Sequence, residues 1–328
     1  VKLASNENPL GVAPRALDAA RRSIEEANLY PDGGAYALRQ RIGKKHGLPM
    51  NQVVVGAGSN EVLEFIGHCF MGQDRSIVIS AHAFAIYKLI AKMFGTRVIE
   101  VPTRGLGHDL PAMLDAVRAD TSVVFICNPN NPTGTLLSAE EIEAFMKELR
   151  RDVIVVFDEA YAEIALGPMP DTTAYVLEGR NCFVLRSFSK AYGLAGLRAG
   201  YGIGPPSAVE ALQKARQPFN VNRVAQAAAT AAMDDHDFIE KSRRLFKESK
   251  EFLESAFDGM GLEYQPTTTN FSLVNVGGDA ADCSDKLMKR GVIVRPMAGY
   301  GLPQHIRVSF GTMDQNQRLI QELEHALE

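Results

Sequence analysis

Seven short runs rich in β-branched residues, separated by stretches of helical periodicity, constrain the fold of this chain more than any other feature. They are QVVVG (52–56), SIVIS (76–80), RVIEV (97–101), SVVFIC (122–127), DVIVVFD (152–158), NCFVLR (181–186) and GYGIG (200–204). Near-continuous apolar strands that alternate with helices are typical of a mostly parallel sheet covered on both faces. We therefore predict an α/β fold. Ligands of such sheets bind beyond the carboxyl ends of the strands, so the residues after each run are site candidates.

The C-terminal third follows a different pattern. Ile239, Phe246 and Leu253 repeat at intervals of seven, which predicts a long amphipathic helix. Three further strand-like runs follow, NFSLVNV (270–276), GVIVRP (291–296) and HIRVSFG (305–311), with a helical pattern at 281–289 after the first. A chain of 328 residues is long enough for one large domain and a smaller one. We expect a large α/β domain over 31–223, and a small α+β domain formed by 224–328 together with the N-terminal segment 1–30.

Charge and composition exclude several classes of protein. The net charge of −4 gives no reason to expect a nucleic-acid or anionic-membrane partner, and no uncharged apolar run approaches the roughly 18 residues of a membrane span. The four cysteines contain no CxxC pair, which argues against zinc sites and disulfides and favours a cytoplasmic protein. The histidines have no metal-ligand spacing, so we expect no metal. The chain starts at Val1 rather than methionine, and we expect that an N-terminal segment precedes it.

The first strand is followed by GAGSNE (56–61), a glycine-rich turn into a helix. Backbone N–H groups at a helix N-terminus bind anions, so Ser59 and Asn60 are candidates for a phosphate site. A nicotinamide dinucleotide site is the alternative. Against it, Glu61 stands where that fingerprint needs glycine or alanine, and the next strand lacks the acidic ribose ligand. A plain strand-to-helix turn stays open for this motif alone.

Polar residues also follow the fourth, fifth and sixth strands. Asn131 lies in NPNNPTG (128–134), where two prolines constrain the loop. Asp158 directly follows VIVVF, and a buried carboxylate there needs a cationic partner, for which a structural salt bridge is the alternative. Lys190, in SFSKAYGLAGLR (187–198), lies among hydroxyls and ahead of Arg198, although a single lysine is usually a solvated surface residue.

One ligand would need all of these groups together. Ser187, Ser189 and Arg198 can hold a phosphate, and a lysine amine can form a Schiff base with an aldehyde. Pyridoxal 5′-phosphate carries a phosphate, a protonated pyridine nitrogen, a phenolic oxygen and an aldehyde. The four strand ends therefore predict a site for this cofactor, with Lys190 as the covalent attachment point.

The whole chain resembles the histidinol-phosphate aminotransferases, class I/II aminotransferases of fold type I among the pyridoxal-phosphate enzymes. The motifs that carry the resemblance follow the family's order and spacing: LASNENPLG, YPDGG, GAGSNE, NPNNPTGT, DEAYAE, SFSKAYGLAGLRAGYG, RQPFNVN, GVIVRPM and IRVSFGT. The serine three residues before Lys190 and the arginine eight residues after it are together highly specific. The resemblance implies a cytoplasmic homodimer with shared active sites.

The resemblance also assigns roles to individual residues. Lys190 would hold the cofactor and then act as the base, Asp158 would pair with the pyridine nitrogen, and Tyr161 would act with Asn131 on the phenolic oxygen. The other cofactor-binding residues would be Phe84, stacked on the ring, Tyr30 from the neighbouring subunit, and Ser59, Asn60, Ser187, Ser189 and Arg198 at the phosphate. The Asn131–Pro132 bond is expected to be cis.

Three residues are predicted to bind substrate. Arg307 matches the family's carboxylate-binding arginine and Arg295 an arginine that helps bind the substrate phosphate, although either could be a structural ion-pair member. Asn8, with Asn6, is expected at the substrate entrance. The implied reaction moves an amino group between L-histidinol phosphate and 2-oxoglutarate, giving 3-(imidazol-4-yl)-2-oxopropyl phosphate and L-glutamate in histidine biosynthesis.

Other functions remain open from the sequence. An aromatic amino-acid aminotransferase is the nearest alternative because its substrates are similar in size and flatness. A phosphothreonine decarboxylase shares much of the motif set. A ligand-sensing regulator would normally carry a basic helix-turn-helix module, which this sequence lacks.

Overall fold

The computed structural model describes residues 1–328, and its larger sheet has seven strands. They are β1 (Val53–Gly56), β2 (Ser76–Ser80), β3 (Arg97–Val101), β4 (Thr121–Cys127), β5 (Ile154–Asp158), β6 (Cys182–Ser187) and β7 (Gly200–Ile203). Their order across the sheet is β1-β7-β6-β5-β4-β2-β3. All neighbours pair in parallel except β7, which is antiparallel to both β6 and β1. The predicted mostly parallel α/β sheet is confirmed.

Nine helices precede the long helix of the C-terminal third. They are α1 (Pro14–Ile24), α2 (Tyr36–His46), α3 (Ser59–Phe70), α4 (Ile86–Met93), α5 (Leu110–Asp115), α6 (Ala139–Glu148), α7 (Thr173–Leu177), α8 (Pro206–Ala215) and α9 (Arg223–Ala232). Successive residues of one strand belong to different apolar clusters: Val155 and Phe157 lie in one, Val156 in another. This alternation shows that helices bury both faces of the sheet.

A second, four-stranded antiparallel sheet follows in sequence. Its strands are β8 (Tyr264–Gln265), β9 (Phe271–Asn275), β10 (Arg295–Met297) and β11 (Leu302–Ser309), in the order β10-β11-β9-β8. The helices around it are α10 (His236–Gly259), α11 (Ala280–Lys289) and α12 (Met313–Leu327). The predicted long helix is α10, and its Phe246, Leu253 and Phe257 are fully buried.

The N-terminal segment joins this second sheet. The Leu3 N–H donates to the Ile293 carbonyl at 2.8 Å, and the Leu3 carbonyl accepts from the Ser309 N–H at 2.8 Å. The run at 291–296 therefore forms a regular strand only from Arg295, because its first residues pair with residues 1–3 instead. The proposed domain boundaries at 31 and 224 stay a prediction. No helix is long and apolar enough to cross a membrane.

Candidate active site

A cavity of about 400 Å³ lies at the carboxyl ends of β4, β5 and β6 and extends to the second sheet. The parallel strands bring their polar tails to this edge, as the sequence predicted. Most of the predicted site residues line it: Ser59, Asn60, Phe84, Asn131, Asp158, Tyr161, Ser187, Ser189, Lys190, Arg198, Arg295 and Arg307.

Lys190 is not a surface lysine. It follows β6, and its Nζ donates to the Ser5 carbonyl at 3.1 Å and lies 5.7 Å from the centre of the Tyr161 ring. Burial and the nearby positive charge of Arg307 lower the pKa of the Lys190 amine to about 8. About a tenth of this amine is therefore neutral at pH 7 and about half at pH 8. The neutral amine is the form that attacks a carbonyl carbon.

Asp158, the last residue of β5, is buried without a cationic partner. Its Oδ2 accepts a hydrogen bond from the Tyr87 hydroxyl at 2.8 Å, whereas its buried Oδ1 has no hydrogen-bond partner. Burial raises the pKa of this carboxyl to about 6. The sequence indicated that Asp158 needs a cation, and no lysine, arginine or histidine of the chain forms an ion pair with it. The unpaired oxygen therefore leaves room for a cationic donor from a ligand.

The opposite side of the cavity is built for an anion. α3 begins at Ser59, and Gly58 before it has φ +85°, a backbone conformation that L residues rarely adopt. Arg198 also has a positive φ, +58°, and its guanidinium lies so close to Gly58 that a Cβ there would be 2.5 Å from Nη2. The first N–H groups of α3, the Arg198 guanidinium and nearby serine hydroxyls therefore face one small volume.

Glu61 explains why the glycine-rich turn departs from a dinucleotide fingerprint. Its Oε2 accepts hydrogen bonds from the Ala57 N–H and from the Asn220 side-chain amide, both at 2.6 Å. The carboxylate thus closes the turn between β1 and α3. A glycine at this position would leave that N–H without its partner.

Tyr161, Asn131 and Arg307 line the cavity, and each is held by a hydrogen bond from or to another segment of the chain. The Asn6 amide donates to the Tyr161 hydroxyl at 2.9 Å. Arg307 Nη1 donates to Asn131 Oδ1 at 2.5 Å, and its Nη2 donates to the Ala4 carbonyl at 2.9 Å. The guanidinium is thereby fixed at the cavity wall without a carboxylate partner. The Asn131–Pro132 bond is cis, as expected, and so is Asn128–Pro129.

Arg295 and Arg307 lie opposite each other on β10 and β11. Both line the cavity, and Arg295 is exposed whereas Arg307 is buried. Neither is part of an intramolecular salt bridge. Two guanidinium groups on one wall can hold an anionic substrate group at the cavity mouth.

Two predicted site residues lie outside this cavity. The Asn8 amide donates to the Ala191 carbonyl at 3.2 Å and to Ser242 Oγ at 2.8 Å. It therefore points away from the entrance and ties the N-terminal segment to the loop that carries Lys190, whereas Asn6 does line the cavity. Tyr30 is 78% exposed and its ring stacks on Phe219 at 4.7 Å. It does not reach the cavity of its own chain, and its predicted role at a neighbouring subunit stays a prediction.

Sequence reasoning missed several cavity residues. Ser5, Cys127 and Tyr300 line the cavity, and Tyr87 lies behind it as the partner of Asp158. Cys127 was detectable because it ends β4, next to the polar tail. The other three reach the site through contacts between distant segments, for which the sequence has no local signal.

The fold and this site define a class of protein. The profile of the family described as "Aminotransferase class I and II" matches residues 1–323. A histidinol-phosphate aminotransferase of Akkermansia muciniphila is 48% identical over all of this chain and 90% of that protein. Histidinol-phosphate aminotransferase 2 of Pseudomonas fluorescens is 45% identical over all of this chain and 89% of that protein. The chain therefore belongs to the class I and II aminotransferases and, within them, to the histidinol-phosphate aminotransferase family.

A solved structure supports the same relationship. The histidinol-phosphate aminotransferase of Sinorhizobium meliloti, crystallised in complex with pyridoxal-5′-phosphate, superposes with a TM-score of 0.93. It is 29% identical, and the match covers 100% of this chain and 90% of that one. The fold-type prediction is therefore confirmed.

Proposed function

We propose that this protein is a pyridoxal-phosphate-dependent aminotransferase that moves the amino group of L-histidinol phosphate to 2-oxoglutarate. The products would be 3-(imidazol-4-yl)-2-oxopropyl phosphate and L-glutamate, in histidine biosynthesis. The observation that carries the proposal is the position of Lys190, a partly buried amine with a lowered pKa. It lines the same cavity as a buried carboxylate that has no cationic partner and a helix end suited to an anion.

The residues present fit pyridoxal phosphate. Oδ1 of Asp158 has no hydrogen-bond donor, as expected if the protonated pyridine nitrogen of the cofactor donates to it. Gly58, Ser59 and Arg198 line the cavity together, so a phosphate there would meet both the α3 N-terminus and the guanidinium. When bound, the cofactor supplies an electron sink for the charge that develops on the substrate carbon.

Each residue then has a task toward the bound cofactor. Asp158 would keep the pyridine nitrogen protonated, because a carboxylate favours a neighbouring cation. Tyr161 and Asn131 would donate hydrogen bonds to the phenolic oxygen, and Phe84 would pack against the ring. The phosphate would be held by the residues at the helix end and in the loop after β6: Ser59, Asn60, Ser187, Ser189 and Arg198.

Lys190 has two tasks. Its amine would hold the cofactor covalently through the cofactor aldehyde. Once free, the same amine would act as the base for the proton on the substrate carbon, a role that its lowered pKa suits. A general base works best with a pKa near the operating pH.

The two arginines select the substrates. Arg307, held by Asn131 and the Ala4 carbonyl, would bind the carboxylate of glutamate or 2-oxoglutarate. Arg295, exposed at the same wall, would contribute to the phosphate of histidinol phosphate. A guanidinium binds either anion through paired hydrogen bonds, so one cavity can serve both half-reactions.

The proposal extends to assembly and location. We expect the protein to be cytoplasmic. We also expect a homodimer, because Tyr30 and Phe219 form an exposed aromatic pair that a second copy of the chain would cover. Tyr30 would reach the phosphate of the partner's cofactor there. Analytical ultracentrifugation tests the dimer directly.

A single-turnover experiment tests the reaction. Cofactor-loaded protein is mixed separately with L-histidinol phosphate, L-phenylalanine and L-threonine phosphate, and conversion of the cofactor from its aldehyde to its amine form is followed by absorbance. Fast conversion with histidinol phosphate alone supports the proposal. Equal or faster conversion with phenylalanine would make the protein an aromatic aminotransferase, and release of carbon dioxide from threonine phosphate would make it a decarboxylase.

A further inference from the structure

Tyr87 is a fully buried tyrosine that lies directly behind the Asp158 carboxylate. It lies on α4, and its hydroxyl donates to Asp158 Oδ2 at 2.8 Å. Its ring stacks on Phe125, with centroids 4.6 Å apart and planes 11° from parallel. Phe84 meets the same ring edge-on at 5.9 Å. Aromatic packing on two sides therefore fixes the position of the hydroxyl.

This hydrogen bond divides the two oxygens of Asp158 between two tasks. Oδ2 is occupied by Tyr87, and Oδ1 is left without a partner. A carboxylate can otherwise rotate about its last bond, so that either oxygen faces the ligand. A donor on Oδ2 favours the single orientation in which Oδ1 stays available.

We propose that Tyr87 is a positioning residue for the cofactor: its hydroxyl orients the Asp158 carboxylate toward the pyridine nitrogen and keeps it charged. The inference rests on the proposed cofactor and deepens the account of the same site. It assigns no contact between Tyr87 and substrate. Removal of the hydroxyl should weaken cofactor binding most where Asp158 begins to protonate.

The surroundings of Asp158 make this hydrogen bond matter. The titratable groups that face the carboxylate are Tyr87 from α4, Cys127 at the end of β4, and Tyr161 beyond β5. Burial raises the pKa of all three, so each is neutral at neutral pH. Lys190 lines the same cavity and makes no ion pair with Asp158. Tyr87 and the Ala160 backbone thus lower a carboxyl pKa that burial raises.

The test is the variant Tyr87→Phe, which removes one oxygen and keeps the ring. The cofactor dissociation constant is measured from pH 5 to 8.5 by diluting the cofactor-loaded protein. Loss of the hydrogen bond raises the Asp158 pKa, so the acid limb of cofactor affinity should move up by about one pH unit. Because the Asp158 pKa is about 6, a rise of one unit should weaken cofactor binding about fivefold at pH 6 and about tenfold near pH 5, with little difference at pH 8.

Two further variants separate positioning from packing. Tyr201→Phe removes the hydroxyl of another buried tyrosine, which lies outside the cavity and is 2.9 Å from His46 Nε2. The acid limb of cofactor affinity in this variant should match that of wild type. In an Asp158→Asn background, which cannot titrate, Tyr87→Phe should change the pH dependence no further. An unmoved acid limb in Tyr87→Phe, even with reduced thermal stability, would show that Tyr87 only packs and would overturn the inference.

Failure of the proposed substrate would be visible separately. Cofactor binding is measured without any amino donor, so a wild-type protein that ignores histidinol phosphate still reports on Tyr87. If the wild-type protein bound no pyridoxal phosphate, both the proposed function and the role of Tyr87 would be refuted.

Discussion

Gly58→Ala tests the anion-binding end of the cavity without removing any polar group. Gly58 has φ +85° and ψ 163°, a region that is essentially restricted to glycine, and another residue held there costs about 1–3 kcal/mol. The added Cβ would also lie 2.5 Å from Nη2 of Arg198. The guanidinium must therefore move by about 1 Å to reach ordinary contact distance.

That displacement should appear as lost cofactor affinity. A hydrogen bond to a charged group contributes about 1.5–3 kcal/mol, and each 1.4 kcal/mol is about a tenfold change in affinity. We expect Gly58→Ala to raise the cofactor dissociation constant by about 10- to 100-fold. The cofactor-loaded protein is diluted, and loss of the cofactor is followed by absorbance. Thermal unfolding of the cofactor-free form measures the change in stability separately.

Gly47→Ala is the matched control. Gly47 ends α2 at φ +66°, and a Cβ there would meet nothing within 4 Å. Gly47→Ala therefore adds backbone strain without a clash. The variant should be less stable than wild type, and its cofactor affinity should stay within twofold of wild type. If Gly58→Ala also left the affinity within twofold, Arg198 would not be a ligand of the cofactor phosphate.

Three other predictions follow from the same geometry. Lys190→Ala should lose the lysine-linked visible band and at least about 100-fold in turnover, with the circular dichroism spectrum unchanged; a normal band would contradict its role. In wild type, cofactor attachment should accelerate from pH 7 to about pH 8 and then level off, because burial lowers the Lys190 pKa to about 8 and only the neutral amine reacts; a rate that falls over this interval would refute that reasoning. Glu159→Ala leaves buried Arg186, 2.6 Å from that carboxylate, partly unpaired, and should cost about 3–5 kcal/mol in urea unfolding. Glu210→Ala, in an exposed pair, should cost less than about 1 kcal/mol, and equal losses in the two variants would contradict the account.

The sequence predicted the central strands of the large sheet well because they are buried on both faces, so their apolar runs need no information from elsewhere in the chain. SIVIS matches β2 residue for residue and is fully buried. RVIEV also matches its strand, β3, although this edge strand is buried only at Val101. GVIVRP was less regular than expected. Its pairing with the N-terminal residues depends on a contact between opposite ends of the chain.

The candidate site was predictable where a strand ends in a polar residue. Asp158 ends β5, and Asn131 and Lys190 lie in the loops after β4 and β6, so the parallel sheet brings them together. Asn8 and Asn6 lie two residues apart, and only packing against α10 and β11 decides which one reaches the cavity. Tyr87 was not predictable, since its hydroxyl meets Asp158 across two separate elements.

The central claim is that Lys190 holds the cofactor. The most direct measurement is borohydride reduction of the cofactor-loaded protein, followed by proteolysis and mass spectrometry of the modified peptide. We expect one pyridoxyl group per chain, attached to Lys190. A group on another lysine, such as partly buried Lys45 beside Tyr192, or no modified peptide at all, would contradict it.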